Sequence, residues 1–211
     1  MPILDKKLAL VAPFASGNEM RPALACVRLA RKGEGIEVVA TDSYTAARIT
    51  RTVMPKASEF PILPGAPQAS DLDGEILVPA AIVAATGKDI MKKTSLDVLK
   101  TAALLRVAGA DQAELAATDL TTVSRRAFKV CDEKFPDLNA IMDVPLKGAI
   151  RVVVNAAYLG KIADMFDAFN CDGNGLNGVA IEITGDPSEP IRFTAEGHGH
   201  KAEALLMKIK S

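Results

Sequence analysis

The sequence predicts an α+β fold made of three copies of one strand-helix-three-strand repeat, with antiparallel sheets and the helices on one face of them. The first observation behind this prediction is an internal echo. Residues 39–48 read VATDSYTAAR and residues 116–125 read AATDLTTVSR. Ala40 and Ala117 lie 77 positions apart (117 minus 40), and another step of 77 reaches a weaker echo at residues 194–203. Such periodicity is typical of folds assembled from one supersecondary unit.

The second observation is the composition. The chain has 211 residues, of which 49% are hydrophobic, only 4% are aromatic and none is Trp. This length allows one large or two modest domains with a buried core, and that core has to be mostly aliphatic. The net charge of -1 argues against a surface coated with basic residues, although a local basic face stays open.

The cysteines and the N-terminus indicate a compartment. Cys26, Cys131 and Cys171 are odd in number and form no CxxC pair, so neither a disulfide framework nor a zinc site is indicated. The N-terminus lacks the order of a signal peptide, and no apolar run approaches the about 18 residues of a membrane helix. We therefore expect a cytoplasmic protein in a reducing environment.

The first repeat is predicted as a helix over residues 5–14 followed by strands over 25–30, 35–41 and 46–53. Leu8, Val11 and Ala12 recur at helical spacing, and the strands alternate apolar and polar residues around a glycine-containing turn. A leading strand is not evident, so we expect it to be shortened or absent here.

The second repeat follows a connector over residues 55–73, which holds four prolines. A strand over 76–78 leads into a helix over 79–93, because proline is favoured in a first helical turn. The expected buried side chains of this helix are Ile82, Val83, Thr86 and Ile90. Strands over 102–107, 113–118 and 123–130 complete the repeat.

The third repeat begins with a predicted strand over residues 150–154. Asn155 is a good N-cap for a helix with an expected buried stripe of Tyr158, Ile162, Met165 and Phe166. After a loop over 171–178, strands are expected over 179–184, 191–195 and 202–209. The sequence therefore divides into a complete two-repeat domain over 1–145 and a half domain over 146–211.

Seven short phrases, in this order, resemble one known family. They are residues 21–24 (RPAL), 40–48 (ATDSYTAAR), 76–79 (ILVP), 134–137 (KFPD), 155–158 (NAAY), 186–190 (DPSEP) and 205–207 (LLM). The chain resembles the bacterial DNA polymerase sliding clamp, the β-type processivity factor, as a shortened clamp-like member. The resemblance implies the DNA-clamp fold, with the middle domain of a clamp followed by the second half of its last domain. A subunit of three repeats cannot close a ring as six-repeat subunits do.

The resemblance implies a cleft for short linear peptide motifs of a polymerase or repair partner, which contribute Leu and Phe side chains. The positions that match this cleft are Leu24, Thr41, Tyr44, Ala46, Pro136, Ile141, Asn155, Tyr158, Ser188, Pro190, Leu205, Leu206 and Met207. Aliphatic walls would bury the apolar anchors of the peptide. The alternative is that Leu24, Ile141 and Leu206 are ordinary core residues. The chain departs from the family at Ser43, where a turn glycine is typical, and at Tyr44, where His is frequent.

The resemblance also implies helices that present basic side chains to DNA phosphates without reading bases. The candidates are Lys6, Lys7, Lys88, Lys92, Lys93 and Lys161. Acidic residues share these helices, and the alternative is an ordinary solvated helix face.

A metal or catalytic site is a weaker hypothesis. Residues 196–200 read EGHGH, with two His two residues apart, and histidines so placed on a strand point the same way. A solvated turn is favoured, because carboxylates or cysteines at ligand spacing do not join them. Residues 172–175 (DGNG) lack the later Glu of a calcium loop. We expect no enzyme activity, no cofactor and no metal.

The function expected is therefore that of a sliding-clamp-like processivity or tethering protein of DNA replication or repair, which binds partner peptides and possibly double-stranded DNA. The alternative is a clamp-derived adaptor or inhibitor that binds such peptides without encircling DNA. A lone third repeat exposes a sheet edge, so we expect a homodimer or higher homo-oligomer in which a second copy restores the half domain across a two-fold axis.

Overall fold

The computed structural model describes residues 2–18, 20–69, 71–106, 111–144, 147–169, 178–197 and 200–209. The chain forms two compact units, Met1–Asp137 and Leu138–Ser211, which are called the N-terminal unit and the C-terminal unit below. Each is described by itself.

The first repeat in the N-terminal unit contains four strands and a 3₁₀ helix. These are β1 (Pro2–Asp5), the 3₁₀ helix Leu8–Phe14, β2 (Cys26–Lys32), β3 (Gly35–Thr41) and β4 (Ala46–Arg51). Gly35 is required where β3 passes β4, because a Cβ atom there would lie 2.0 Å from the Arg51 carbonyl oxygen. The expected helix therefore exists, but it is a 3₁₀ helix that begins at Leu8 rather than residue 5.

The second repeat has the order predicted from the sequence. It contains β5 (Glu75–Pro79), α1 (Ala80–Asp89), β6 (Thr101–Arg106), β7 (Gln112–Thr118) and β8 (Val123–Lys129). The prediction that α1 reaches residue 93 is wrong, because Ile90 has an extended backbone (φ -62°, ψ 137°) and closes the helix with its N–H on Thr86. Short 3₁₀ helices at Ala57–Glu59 and Asp97–Lys100 were not predicted.

The two repeats exchange their leading strands. One sheet has the order β1-β6-β7-β8 and the other β4-β3-β2-β5, so β1 of the first repeat pairs antiparallel with β6 of the second, and β5 of the second pairs antiparallel with β2 of the first. Of the two expectations for the first leading strand, absence is wrong and shortening is confirmed, since β1 has four residues where β5 has five. The apolar part of β1 is only Ile3 and Leu4, both fully buried, which is too short to show periodicity.

One aliphatic core fills the N-terminal unit. It combines the inner faces of both sheets with the 3₁₀ helix and α1, through fully buried residues such as Leu8, Val27, Val83 and Leu115. The two helices touch closely, because a Cβ atom on Gly87 would lie 2.5 Å from the Cβ of Ala9. The predicted aliphatic core and the placement of the helices on one face are confirmed.

The proline-rich connector is a packed cover rather than a free linker. Its side chains Phe60 and Leu63 are buried against Ala103, Leu105 and Ala116. These residues lie on the opposite face of the β1-β6-β7-β8 sheet from the main core. The prolines mark this segment as irregular, but its apolar residues anchor it.

The C-terminal unit contains two helices and a three-stranded sheet among its described residues. The elements are α2 (Asn139–Met142), α3 (Ala156–Phe169), β9 (Ala180–Glu182), β10 (Ile191–Gly197) and β11 (His200–Leu206). The sheet order is β11-β10-β9. A small core of Phe166, Ile191, Phe193, Ala195 and Leu206 lies between α3 and the sheet.

The third repeat departs from the sequence predictions in three ways. Residues 150–154 form no strand, and Val153 accepts a backbone hydrogen bond from Ile209 at 2.7 Å instead. β9 covers residues 180–182 rather than 179–184. Tyr158 and Met165, predicted to be buried, are 56% and 41% exposed. The first two departures share a cause. In the N-terminal unit the corresponding strands pair with a strand of the other repeat, whereas the described residues of the C-terminal unit provide no such partner strand.

The echo of the sequence is a repeated turn. Asp42 Oδ1 accepts the N–H groups of Tyr44 and Thr45 at 2.8 and 2.6 Å, and Asp119 Oδ1 accepts those of Thr121 and Thr122 at 2.9 and 2.5 Å. The preceding threonines, Thr41 and Thr118, donate their hydroxyls to the carbonyls of Thr45 and Thr122 at 2.7 and 2.8 Å. The structural reading of Ala-Thr-Asp is confirmed.

The interval between the second and third copies of the turn differs from the interval between the first and second. The inward-facing alanines before the turn are Ala40, Ala117 and Ala195, which pair across their hairpins with the residue seven positions later, at 47, 124 and 202. The steps are therefore 77 (117 minus 40) and 78 (195 minus 117). The second step of 77 is wrong by one residue.

The turn generates a stability prediction. Ser43 and Leu120 occupy the left-handed region, with φ of 82° and 73°, which costs roughly 1–2 kcal/mol for a residue with a Cβ. Because Leu120 is 62% exposed, Leu120→Gly should stabilise the protein by up to about 1 kcal/mol, measured by urea unfolding. In the matched control Leu96→Gly, at φ -91°, stability should fall, and a loss at both positions would contradict the account.

The turn also predicts a dependence on pH. Backbone N–H bonds hold the pKa of Asp42 and of Asp119 below the ordinary value of 3.8. Because the folded pKa is the lower one, the contribution of each carboxylate is complete above the unfolded pKa and is lost as the pH falls through the folded pKa. The unfolding free energy should therefore decline less between pH 5 and 2 (roughly) in Asp42→Asn/Asp119→Asn than in wild type. Equal declines in acid titrations would contradict this prediction.

Candidate peptide-binding and DNA-facing surfaces

The N-terminal unit brings two of the candidate peptide-binding residues into one groove. Leu24 and Pro136 line a groove of about 440 Å³ together with Met20, Arg21, Pro22, Ala23, Glu133 and Lys134. Its floor is fixed by the Glu133 carboxylate, which accepts the Ala23 N–H at 3.3 Å. Met20 is 87% exposed, and a flexible Met side chain at the rim can adapt to different ligands.

The turn that carries Tyr44 is linked to this groove. Arg21 donates to the Ser43 hydroxyl at 3.4 Å, and the side chain of the next residue, Tyr44, is 96% exposed. Thr41 is 4% exposed and its hydroxyl is engaged in the turn, so it supports the turn that presents Tyr44. Ala46, the first residue of β4, is exposed. The candidate list drawn from the sequence contained only Leu24 and Pro136 of this groove. Arg21, Pro22, Ala23 and Lys134 lie in the phrases RPAL and KFPD but were not chosen, and Met20 and Glu133 lie outside those phrases.

The C-terminal unit holds the other candidates. Asn155 caps α3, because its Oδ1 accepts the N–H groups of Ala157 and Tyr158 at 2.9 and 3.3 Å. Tyr158 is half-exposed, and the Lys161 ammonium lies 5.6 Å from the centre of its ring, within reach of a cation–π interaction. Ile141 on α2 is 73% exposed.

A second groove in the C-terminal unit contains Ser188. It has a volume of about 700 Å³ and is lined by residues 150–153, Gly185, Pro187, Ser188, Lys208 and Ile209. Asp186 Oδ1 accepts the N–H and hydroxyl of Ser188 at 2.7 and 2.6 Å, which lowers the pKa of Asp186. Lys208 donates to the carbonyls of Thr184 and Asp186. These bonds fix the DPSEP loop up to Pro190, which is partly buried.

The three residues of the final phrase, LLM, alternate between the core and solvent. Leu206 is 4% exposed and belongs to the small core. Leu205 and Met207 are 57% and 61% exposed, because successive side chains along a strand point to opposite faces. Only these two of the three present their side chains to solvent.

The lysines of the N-terminal unit gather at one end of the helix pair. Lys6 donates its ammonium to the Lys88 carbonyl at 3.3 Å. Lys6, Lys7 and Lys92 also line a groove of about 610 Å³, with Arg51 and Lys100 added by the fold. Sequence reasoning missed these two because they are remote in the chain.

Two pairs of candidate lysines lie outside the helices on which they were expected. Lys6 and Lys7 precede the 3₁₀ helix, and Lys92 and Lys93 follow the end of α1, so only Lys88 and Lys161 lie on helices. Part of the basic charge is balanced, since Arg51 contacts Asp5 at 2.9 Å and Lys100 contacts Asp97 at 2.8 Å. Asp89 is bound by Ser124 and Arg126 at 2.6 Å, and these partners lower its pKa.

The described part of the chain bears on the metal hypothesis and on membrane insertion. There, no three His, Cys, Asp or Glu side chains group closely enough to hold a metal ion. His198, Cys171 and the DGNG segment lie outside the described residues. Within the described ranges, every helix is too short or too polar to cross a membrane.

Comparison with known structures identifies the fold. Neither a protein-family model nor a curated protein matches the chain. The solved structures that match include the Bacillus subtilis DNA polymerase sliding clamp, with TM-score 0.71, 16% identity, and coverage of 99% of this chain and 49% of that one. The β subunit from the DNA polymerase of Streptococcus pyogenes matches with TM-score 0.66, 19% identity, and coverage of 100% and 50%.

A third match is the Caulobacter crescentus β sliding clamp, solved with PEG bound in its proposed β-motif tethering region, with TM-score 0.63, 17% identity, and coverage of 98% and 50%. The chain thus has the fold of the bacterial DNA polymerase β sliding clamps. The chain spans about half the length of the clamp chains it matches. The resemblance inferred from the seven phrases is confirmed at the level of fold.

Proposed function

We propose that this protein is a sliding-clamp-like tethering factor of DNA replication or repair, which holds short linear peptide motifs of polymerase or repair proteins. The observation that carries the proposal is the exposure of large apolar side chains at cleft-matching positions. Tyr44, Tyr158, Leu205 and Met207 are 96%, 56%, 57% and 61% exposed. Large apolar side chains that a fold leaves exposed are typical of ligand-binding surfaces.

The physical basis of peptide capture is burial of apolar anchors. Each Leu or Phe side chain that passes from water into such a groove contributes roughly 1.5–3 kcal/mol, from which the ordering of the peptide is subtracted. The groove with Leu24 and Pro136 and the exposed face with Leu205 and Met207 each offer apolar area beside polar groups. Polar atoms of Arg21 in the first groove and of Ser188 in the second can each orient a peptide that binds there.

The mechanism we propose is tethering without chemistry. A partner held through its motif experiences a raised local concentration at the DNA, which increases the frequency of productive encounters without a new active site. The protein would act in the cytoplasm, where replication proteins and reduced cysteines are found.

Contact with DNA is the second part of the proposal. Lys6, Lys7 and Lys92 are gathered in one groove with Arg51 and Lys100, and such a cluster suits phosphates without base recognition. The overall charge of -1 and the ion pairs of Arg51 and Lys100 predict weak, salt-sensitive binding.

The runner-up is a clamp-derived adaptor or inhibitor that binds the same peptides and does not enclose DNA. The observation that favours it is charge, since the net charge is -1 and both Arg51 and Lys100 of the lysine groove are held in ion pairs. The two functions differ in DNA binding and share the peptide surface.

Peptide binding is tested by fluorescence anisotropy with a labelled peptide that carries Leu and Phe anchors. Tyr44→Ala and Leu205→Ala should each weaken binding by about tenfold, because each removes an apolar contact worth roughly 1.4 kcal/mol. Ile62, which is 84% exposed on the connector, provides the matched control Ile62→Ala, with unchanged affinity. Absence of binding by the wild-type protein, or equal affinity in all variants, would overturn the peptide proposal.

DNA binding is tested with duplex DNA of arbitrary sequence over a salt series. The logarithm of the affinity should fall linearly with the logarithm of salt concentration, and Lys6→Ala/Lys7→Ala should reduce the slope by about 1 to 2 units. Lys56→Ala on the connector, an exposed lysine away from the helices, is the control. Peptide binding without salt-dependent DNA binding would contradict the clamp function and leave the adaptor.

A further inference from the structure

The N-terminal unit shows how one repeat completes another. The leading strand of each repeat pairs with the first sheet strand after the helix of the other, as β1 with β6 and β5 with β2. β2 and β6 consequently lie inside their four-stranded sheets, and both strands are largely buried. A repeat therefore carries a donor segment and an acceptor edge.

In the third repeat the described residues pair neither feature with another strand, although Val153 accepts a hydrogen bond from Ile209 at 2.7 Å and Val152 and Val154 pack against the small core. Its donor segment, residues 150–154, forms no strand, and Ile150 and Val153 are 52% and 43% exposed. Its acceptor strand β9 pairs with β10 along one edge, and the described residues place no strand along the other. Ile181 on β9 is 57% exposed, and apolar edge strands of this kind promote association.

The helix of the third repeat shows the same exposure. The fourth residue of α1, Val83, is fully buried, whereas the fourth residue of α3, Leu159, is 40% exposed. The eighth residue of α1 is Gly87, which touches Ala9 of the neighbouring helix, and the eighth residue of α3 is the exposed Ala163. A groove of about 520 Å³ lies between α3 and β9–β10. Its lining residues are Leu159, Ile162, Ala163, Asp164, Phe166, Asp167, Val179, Ile181 and Phe193.

We propose that a second copy of this chain completes the third repeat by reciprocal strand exchange: residues 150–154 of each copy pair antiparallel with β9 of the other, and the two α3 helices pack together across a two-fold axis. The occupant is a second copy because one third repeat carries donor and acceptor together, which is the self-complementarity that an isologous dimer needs. The proposal rests on the exchange within the N-terminal unit and does not depend on the proposed function.

Charge complementarity supports the same occupant and fixes the register. In the N-terminal unit, Leu29 and Ala30 of β2 face Ile76 and Glu75 of β5. The donor segments are aligned through the first residues of the helices that follow them, Ala80 of α1 and Ala156 of α3, which are 76 positions apart (156 minus 80). In this alignment Val152 corresponds to Ile76, and Arg151 corresponds to Glu75.

The acceptor strands are aligned through the equivalent alanines Ala40 of β3 and Ala195 of β10. With the β2–β3 and β9–β10 registers, Ile181 of β9 then corresponds to Leu29 of β2, and Glu182 corresponds to Ala30. In the dimer, Val152 therefore faces Ile181 and Arg151 faces Glu182. An opposite-charge pair directly across two strands is stabilising, and like charges there are destabilising.

The first measurement is the mass of the full chain by light scattering at micromolar concentration. Wild type should have twice the 22.2 kDa of one chain, and Ile181→Asp should be a monomer with an unchanged circular dichroism spectrum, because Ile181 is exposed in the single copy. Ile62→Asp is the control and should stay dimeric, because Ile62 is an exposed isoleucine (84%) on the connector of the N-terminal unit. A monomeric wild type, or a dimeric Ile181→Asp, would overturn the proposal.

The second measurement uses charge reversal. Rescue by mixing separates an effect at the interface from the loss of the ion pair that Glu182 makes with Arg192 of its own sheet at 3.7 Å. Arg151→Glu and Glu182→Arg each place like charges opposite one another twice per homodimer, and each should weaken dimerisation by about tenfold. Mixing the two variants should restore wild-type affinity, because both cross-strand pairs of the heterodimer then have opposite charges. Homodimers of wild-type strength, or a mixture no tighter than either variant alone, would show that the copies meet elsewhere or not at all.

Discussion

The exchange of leading strands between repeats is the interaction on which the architecture depends. β1 and β5 each lie at the edge of the other repeat's sheet, so neither four-stranded sheet of the N-terminal unit can form from one repeat alone. The exchange brings two inner faces and two helices into one aliphatic core, and Ile3, Leu4 and Val78 are fully buried by it. The described residues of the third repeat show no such exchange. This explains why β9 is short and why the donor segment is irregular, because a strand needs hydrogen-bonded neighbours to be stable.

The Thr-Asp turn is the second constraint, and it links local sequence to the presentation of a candidate site. The Asp carboxylate and the Thr hydroxyl satisfy the backbone groups of a tight turn that forces one residue into the left-handed region. Both turns tolerate a residue with a Cβ there, Ser43 and Leu120. The network therefore stores a small strain, and in the first copy it holds Tyr44 almost wholly in solvent. The same turn is structural in the second copy and presents a side chain in the first.

The candidate surfaces lie on parts of the fold that are fixed by packing nearby. Phe135 is buried beside the groove with Leu24 and Pro136, and Leu206 is anchored in the small core while its neighbours Leu205 and Met207 face solvent. Each exposed apolar group is thus adjacent to a buried one on the same strand or loop, which gives a binding surface a rigid support. The proposed dimer would use α3, β9 and the segment before Asn155, so it shares α3 with Tyr158 and residues 150–153 with the groove that contains Ser188.

The sequence by itself determined the repeat, the order of its elements and the turn, because these depend on contacts within a few residues: alternating strands, glycine turns, the Asn155 cap and the Asp carboxylates. It also determined the fold through seven phrases in order. Only the tertiary structure decided that β1 exists, that residues 150–154 are not a strand, that α1 ends at Asp89, and which of Leu205, Leu206 and Met207 faces the core. It also decided that Arg51 and Lys100 join the lysine groove, since side chains remote in the chain meet only when sheets pair. The physical reason is that these features depend on whether a second repeat supplies a partner strand, which local periodicity does not encode.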